Sequence, residues 1–302
     1  MYLRIATRKS ELALWQARYV AQKLESLQAI EHVELVPLST RGDETLDQSL
    51  QKIGGKGLFI KELETTLQNG AADIAVHSMK DVPADMPHGF CIACVLQRAN
   101  PADALVTAIA GDLQSLPQGS SIGSSSLRRQ AQLLALRPDL VVRPLRGNIN
   151  TRIAKLQAGR YNAIVLASAG LERLGMSSVI TQQFSAVQML PAAAQGVLGI
   201  ECLQHRVPLI SVLKQLEDHQ TRVTTLAERA VARTLQASCQ SPVASFASIA
   251  GDEICLQALV ASSDGRTIIR ESERGSTADA EELGVQVATS LLGRGAAALL
   301  VP

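Results

Sequence analysis

The 302-residue sequence predicts an α/β protein of two similar units in series, followed by a smaller α+β unit. Three observations carry that prediction. Strand-length apolar runs alternate with segments of helical periodicity through the first two-thirds of the chain. The alternation restarts after Pro101. Beyond Gln195-Gly196 it gives way to three successive strand-like runs and a closing helix.

Taken in order, residues 3–6 predict a strand. Residues 11–27 predict a helix, with Leu12, Trp15, Val20, Leu24 and Leu27 near one face. A strand over 33–38 follows, then a helix over 58–67 entered through Gly54-Gly55-Lys56-Gly57, and a buried strand over 73–77. Residues 90–96 read as one apolar strand. In the second unit, strands are expected over 104–108, 121–124, 140–145 and 162–167, with helices over 127–136 and 149–158. Strands separated by helices in this way belong to sheets with both faces covered. A helix over 221–235, with Glu228 and Arg229 on its polar side, opens the last unit. Strands over 243–250, 254–261 and 266–270 and a helix over 278–292 complete it. The Asp264-Gly265 turn joins the last two strands as a hairpin. Seams are expected near 98–101, 191–196 and 217–220. They define domain 1 (1–97, with a return at about 197–216), domain 2 (101–191) and a C-terminal domain (219–302).

Composition excludes several function classes. Lys and Arg number 29 and Asp and Glu 28, a net charge of +1, which does not suit a dedicated nucleic-acid binder or a polybasic membrane protein. Aromatic residues make up 3%, too few for base-stacking platforms. At 46% hydrophobic residues the chain is not disordered. No stretch approaches the ~20 apolar residues of a membrane span. Arg4, Arg8 and Lys9 stand where a signal peptide is apolar, so the cytoplasm is the expected compartment. No apolar stripe asks for a partner, so a monomer is expected.

The five cysteines, at 91, 94, 202, 239 and 255, form no disulfide framework. Cys91 and Cys94 make a C-x-x-C, but positions three apart on a strand point to opposite faces. No second pair stands nearby, so no metal is expected and both are read as core thiols. Cys239 differs, lying in the small, polar loop Gln236-Ala237-Ser238-Cys239-Gln240.

Charge is unevenly placed. Between residues 120 and 160 stand eight basic residues, seven of them Arg, against the single acid Asp139, a local charge of +7. A solvated basic face is the ordinary source of such a run. Here position argues otherwise. Arg128 and Arg129 follow Ser124-Ser125-Ser126 at a strand-to-helix junction, and Arg146 precedes Gly147-Asn148 at another. Helix N-termini with hydroxyl residues and guanidinium forks make anion sites. Thr7-Arg8-Lys9-Ser10 repeats the composition. In His77-Ser78-Met79-Lys80-Asp81-Val82-Pro83, the proline ends the strand, so Ser78 to Asp81 sit at its carboxyl end, where α/β sheets bind ligands. A plain surface pair of Lys80 and Asp81 is an equal reading of those residues. No Ser/His/Asp order, HExxH or G-x-G-x-x-G anchors a common hydrolase, protease or dehydrogenase.

Seven segments in series resemble the porphobilinogen deaminase (hydroxymethylbilane synthase) family. They are Arg4-Ile5-Ala6-Thr7-Arg8, Thr40-Arg41-Gly42-Asp43, Gly54-Gly55-Lys56-Gly57-Leu58-Phe59, Ala75 through Pro83, Ser125-Ser126-Leu127-Arg128-Arg129-Gln130, Leu145-Arg146-Gly147-Asn148 and Cys239-Gln240. The resemblance implies two periplasmic-binding-protein-like α/β domains around a cleft and a C-terminal α+β domain. It implies a transferase that joins four porphobilinogen molecules head to tail with loss of ammonia, then releases hydroxymethylbilane by hydrolysis. A dipyrromethane cofactor, held by a thioether to Cys239, is the implied primer. Asp81 is the implied catalytic carboxylate. Arg8, Ser10, Lys56, Ser78, Lys80, Ser124, Ser125, Ser126, Arg128, Arg129, Arg146, Arg152 and Arg173 are the implied carboxylate-binding groups. Porphobilinogen is the implied small-molecule partner, and a handover of product to the next tetrapyrrole enzyme is a further expectation.

Each pyrrole carries two carboxylates, so a growing chain needs concentrated arginine. The substrate's amine is already protonated, its class titrating near ~10. An ionised Asp81 would therefore stabilise the azafulvenium cation that ammonia leaves behind. Two departures stand out: Ala237-Ser238 and Ala194 replace glycines usual in the family, at a conformational cost if φ is positive there. On the residues alone, a non-enzymatic two-lobed binding protein or sensor for an anionic ligand is the alternative.

Overall fold

The computed structural model describes residues 1–39, 60–109, 111–238 and 240–300. Its internal contacts divide the chain into two units. The first is built from 1–98 and 197–222, the second from 99–196 and 223–302.

In the first unit, β1 (Tyr2–Arg8) leads into α1 (Glu11–Glu25). The helix starts where it does because the Ser10 hydroxyl accepts the Ala13 N–H at 3.4 Å, with Glu11 favoured in the first turn. Gln16, Ala17, Val20, Ala21 and Leu24 form its buried face. Then come β2 (His32–Leu38), α2 (Lys61–Gln68), β3 (Ile74–Ser78) and β4 (Phe90–Val95). Residues 40–59, with the Lys56 segment, lie outside the described residues.

The second unit repeats the theme with β5 (Asp103–Thr107), β6 (Ser121–Gly123), α3 (Leu127–Leu136), β7 (Val141–Arg143), α4 (Ile149–Gln157), β8 (Ala163–Ala167), α5 (Ser168–Arg173) and β9 (Gln182–Gln183). Its sheet runs β7-β6-β8-β5-β9, with β6 parallel to β7 and β8, and β5 antiparallel to β8 and β9.

The chain then returns to the first unit as β10 (Leu198–Leu203) and α6 (Val207–Leu213). Neither was expected from the sequence. The first sheet has the order β2-β1-β3-β10-β4, so this returning strand lies inside it, antiparallel to β3 and β4. β1 is parallel to both β2 and β3.

α7 (His219–Thr234) follows, then β11 (Val243–Ala250), β12 (Glu253–Ala261), β13 (Ile268–Ser276), α8 (Ala280–Gly293) and α9 (Ala297–Leu300). The three strands form an antiparallel sheet in sequence order. Val223, Ala227 and Val231 of α7 pack with Leu283, Val287 and Leu291 of α8 against Ile254, Leu256 and Val260. The helices approach closely because Gly284 has no side chain: a Cβ there would lie 2.4 Å from the Ala227 carbonyl. This sheet also packs on α3 through Ala131, Ala244, Leu259 and Ala261. Gly265 of the expected hairpin turn touches α3, where a Cβ would meet the Ala131 carbonyl at 2.3 Å.

Two expectations are corrected here. Glu228 is not on a polar face but wholly buried, accepting the backbone N–H groups of Ala194 (2.6 Å) and Ala247 (2.8 Å). A carboxylate that ties a loop and a strand to one helix has exchanged water for two donors. Of the glycine-replacing residues, Ala194 does adopt a left-handed φ of 55°, but Ala237 and Ser238 do not. The left-handed residue is Gln236, at φ 50°. It closes α7 by donating its N–H to Arg233 O, while the Ala237 N–H reaches Ala232 O. That is a Schellman cap, with Gln236 where glycine is favoured.

Candidate active site

In the first unit, the carboxyl ends of the parallel neighbours β1 and β3 deliver Arg8–Ser10 and Ser78–Asp81 to one sheet edge. Buried Gln16 of α1 links the two, donating from Nε2 to Ser78 Oγ at 2.8 Å. Beyond Ser78 the chain makes one 3-10 turn over Met79–Asp81. Two contacts pin that turn. The Met79 N–H donates to Val197 O, and the buried Met79 side chain lies over Gly199 of β10. A Cβ on Gly199 would fall 2.2 Å from Met79 Sδ. Burial of Met79 turns its neighbours outward, and Asp81 is exposed. Its carboxylate makes no ion pair among the described residues. Ser10, expected as a ligand group, spends its hydroxyl on capping α1.

β3 also carries one side of a buried hydrogen-bonded pair. His77 Nε2 and Glu201 Oε2 are 2.7 Å apart on the neighbouring strands β3 and β10. Glu64 of α2 is close to both. Burial, then repulsion from Glu201, raises its carboxyl above the ordinary value, with His77 opposing.

In the second unit, β7, β6 and β8 are parallel neighbours, and their carboxyl ends place residues 144–148, 124–126 and 168–173 along one edge. The serines expected to bind ligand build this edge. Ser124 Oγ accepts the Ser126 N–H at 3.2 Å. Ser125 Oγ exchanges hydrogen bonds with Leu145 N and O, both at 3.0 Å. Ser126 caps α3 by accepting the Arg129 N–H at 3.4 Å. What they leave for an anion is the first turn of α3, whose N–H groups have no intrahelical acceptors. Asn148 caps α4 from Thr151 N at 2.9 Å, Arg152 Nε holds Gly147 O at 2.8 Å, and Lys155 Nζ holds Arg146 O at 3.0 Å. Arg173 Nη2 donates to Gly196 O at 2.8 Å.

Arg128 and Arg129 correct the simplest reading of the +7 segment. Both are buried, and both bind Asp103 at the start of β5. Arg128 Nη1 lies 2.7 Å from Oδ2, while Arg129 Nη2 and Nε lie 2.7 and 3.0 Å from Oδ1. Gln195 Nε2 adds a fourth donor at 3.0 Å. Arg128 Nη1 also reaches Leu190 O, and Arg129 Nη1 reaches Val165 O. Burial opposes ionisation of Asp103, but the two guanidiniums outweigh it and hold the carboxyl well below the usual range. Two cations against one anion leave this site net positive. Arg137 is likewise paired, with Asp139 at 2.7 Å. Asp103 escaped the sequence reading; its only signal is an acid opening an apolar strand.

Residues 3–211 match the family model described as porphobilinogen deaminase, dipyromethane cofactor binding domain, and residues 223–293 match that of the porphobilinogen deaminase C-terminal domain. The chain belongs to the porphobilinogen deaminase family. It is 52% identical over 298 residues to the porphobilinogen deaminases of Bordetella parapertussis and Bordetella bronchiseptica, a match covering 99% of this chain and 95% of each of those. Among solved structures, the methionine binding protein MetQ superposes with a TM-score of 0.47 at 12% identity, over 71% of this chain and 89% of that one.

The residues present suit the porphobilinogen deaminase cofactor, a dipyrromethane bearing carboxylates. The second unit offers two helix N-termini, a net-positive Arg128–Asp103–Arg129 site, and Arg146 and Arg152 on one sheet edge. Cys239, the implied attachment point, lies outside the described residues, as does Lys56. Among the described residues no His, Cys, Asp and Glu cluster could hold a metal ion, and no helix is long and apolar enough to cross a membrane.

Proposed function

We propose that this porphobilinogen deaminase family member condenses four porphobilinogen molecules onto a dipyrromethane tethered to Cys239 and releases hydroxymethylbilane, with Asp81 as the catalytic carboxylate. Family membership favours this transferase over a non-enzymatic binding protein. When bound, the dipyrromethane supplies a nucleophilic pyrrole carbon that begins the chain.

The protein's own groups do the rest. Loss of ammonia leaves a positive charge on the substrate pyrrole, and Asp81 stabilises it as it develops. One observation carries that role. Asp81 stands exposed at the carboxyl end of β3 and makes no ion pair among the described residues, whereas Asp73, at the other end of that strand, and buried Glu201 are engaged by Arg4 and His77. An exposed carboxylate at that edge can meet a cation. Arg8, Lys80 and Ser78 on this edge, and Arg146, Arg152, Arg173 and the first turn of α3 on the other, hold substrate carboxylates. Arg128 and Arg129 contribute the net charge of their Asp103 site, while Ser124, Ser125, Ser126 and Ser10 shape the loops. We place the enzyme in the cytoplasm as a monomer that passes its product to the next tetrapyrrole enzyme.

Two measurements test this. Intact-protein mass spectrometry is expected to show two pyrrole units added to the polypeptide, and further units after incubation with porphobilinogen. A bare polypeptide mass that substrate leaves unchanged overturns the reading. Asp81→Asn is expected to lower turnover by ~10²–10³-fold, the loss typical of one preorganised electrostatic group. Its stability should stay within ~0.5 kcal/mol of the parent, since the side chain is exposed. Near-normal turnover removes Asp81 from the mechanism.

A further inference from the structure

Cys91 of β4 and Cys202 of β10 stand directly opposite one another in the first sheet, with their sulfurs 3.9 Å apart. The C-x-x-C partner Cys94 is not involved. It is wholly buried, and burial pushes its thiol up to about 12. Facing residues of an antiparallel ladder have Cα atoms ~4.5–5.5 Å apart. That lies inside the ~4.4–6.8 Å range of disulfides, so bonding the two sulfurs needs side-chain rotation and no movement of either strand.

The two thiols differ in access. Cys202 is fully buried, while Cys91 is only partly so and opens on a cleft of about 390 Å³ lined also by Lys214, Glu217 and Arg222. Arg222 is anchored there by Glu217 and by the Ile92 and Ala93 carbonyls. The hydrogen bond from Cys202 lowers the Cys91 thiol to about 7; burial and Glu201 oppose that shift, and Arg222 and Lys214 assist it. Partial exposure, nearby cations and a second sulfur in bonding register are together the setting of a redox-active thiol.

We propose that Cys91 and Cys202 are a peroxide-sensitive dithiol that converts reversibly to a cross-strand disulfide. The Cys91 thiolate attacks one oxygen of hydrogen peroxide. The O–O bond breaks, the departing hydroxide takes up a proton to become water, and the sulfur is oxidised to a sulfenic acid. Cys202 then gives up its proton and attacks the Cys91 sulfur. The S–O bond breaks and a second water leaves. Two thiols and one peroxide thus become one disulfide and two waters, and an external dithiol reverses the change. Buried Cys202 is the resolving sulfur because the cleft reaches only Cys91. The Cys239 sulfur takes no part.

At pH 7 a thiol of pKa about 7 is half thiolate, ~15-fold more than a free cysteine near ~8.5. Its lower intrinsic nucleophilicity returns about a factor of five, so Cys91 should react ~threefold faster than free cysteine. The test treats the full-chain protein with hydrogen peroxide, blocks remaining thiols with N-ethylmaleimide and maps the peptides by mass spectrometry. The expected product is a Cys91–Cys202 linked peptide pair lighter by two hydrogens and separated by dithiothreitol. In Cys202→Ala, oxidation should stop at a Cys91 sulfenic acid that dimedone captures. The proposal is overturned if Cys91 stays open to alkylation at peroxide doses that oxidise partly buried Cys255, or if it over-oxidises in the parent without linking to Cys202.

Discussion

Asp103→Asn removes one negative charge from between two guanidiniums that are 4% and 7% exposed. Four donors converge on this carboxylate, from Arg128, twice from Arg129, and from Gln195. Leaving a buried charge uncompensated costs ~3–5 kcal/mol. Asn keeps one carbonyl acceptor in place, so the lower end, ~3 kcal/mol, is expected. At ~2–4 °C per kcal/mol for a unit of this size, the second unit should melt ~6–12 °C earlier at pH 7. The deficit should also depend on pH with a definite sign. The folded carboxyl titrates below its unfolded value of ~3.9, so its contribution is complete above that value and declines as pH falls. At pH 3 the unfolded group is ~90% protonated, and the gap between parent and variant should narrow by about 1 kcal/mol. Differential scanning calorimetry of both proteins at pH 7 and pH 3 measures this. A melting shift under ~2 °C, or a gap that does not narrow at pH 3, refutes the reading that Asp103 holds a buried two-arginine site together.

Gly199→Ala should push Met79 from its seat and disturb the Asp81 turn, at ~1–3 kcal/mol of stability and with reduced turnover. Adding Met79→Ala should restore part of the stability in urea titrations, because it removes the colliding sulfur. Gln236→Gly should stabilise the protein by up to ~1 kcal/mol. Relief of ~1–2 kcal/mol of left-handed strain outweighs ~0.4–1 kcal/mol of added unfolded-chain entropy, and the exposed side chain loses no packing. A lower denaturation midpoint would show that the cap is unstrained. Glu64→Gln should match the parent below pH ~4 and exceed it, by no more than ~1 kcal/mol, near pH 8. Its raised folded pKa means the parent loses stability as pH rises through that value, and Gln has no proton to lose. Thermal melts across that range that stay parallel would deny the shift.

Much of the candidate site's placement was legible because its residues come in short runs at strand ends. Ser78 to Asp81, Ser124 to Arg129 and Arg146 to Asn148 all fall where a strand stops, and the structure puts each group at a carboxyl edge of parallel strands. What the residue types could not reveal was which donors were already engaged. A serine before a helix reads equally as a ligand group or a cap, and Ser10 and Ser126 are caps. An arginine reads as a free fork until its acid is found, and Asp103 lies 25 residues from Arg128.

The alternation of helix and strand and the terminal three-stranded sheet follow from the sequence alone, because periodicity and capping act between residues a few positions apart. β10 does not. Its six residues hold a glycine and a glutamate and look unlike a central strand, yet the chain's return slots them between β3 and β4. That one pairing creates the Met79 seat on Gly199, the His77–Glu201 pair and the facing thiols of Cys91 and Cys202. Each joins residues more than a hundred positions apart, with no local backbone preference to announce it, and so each was decided only when the sheet closed.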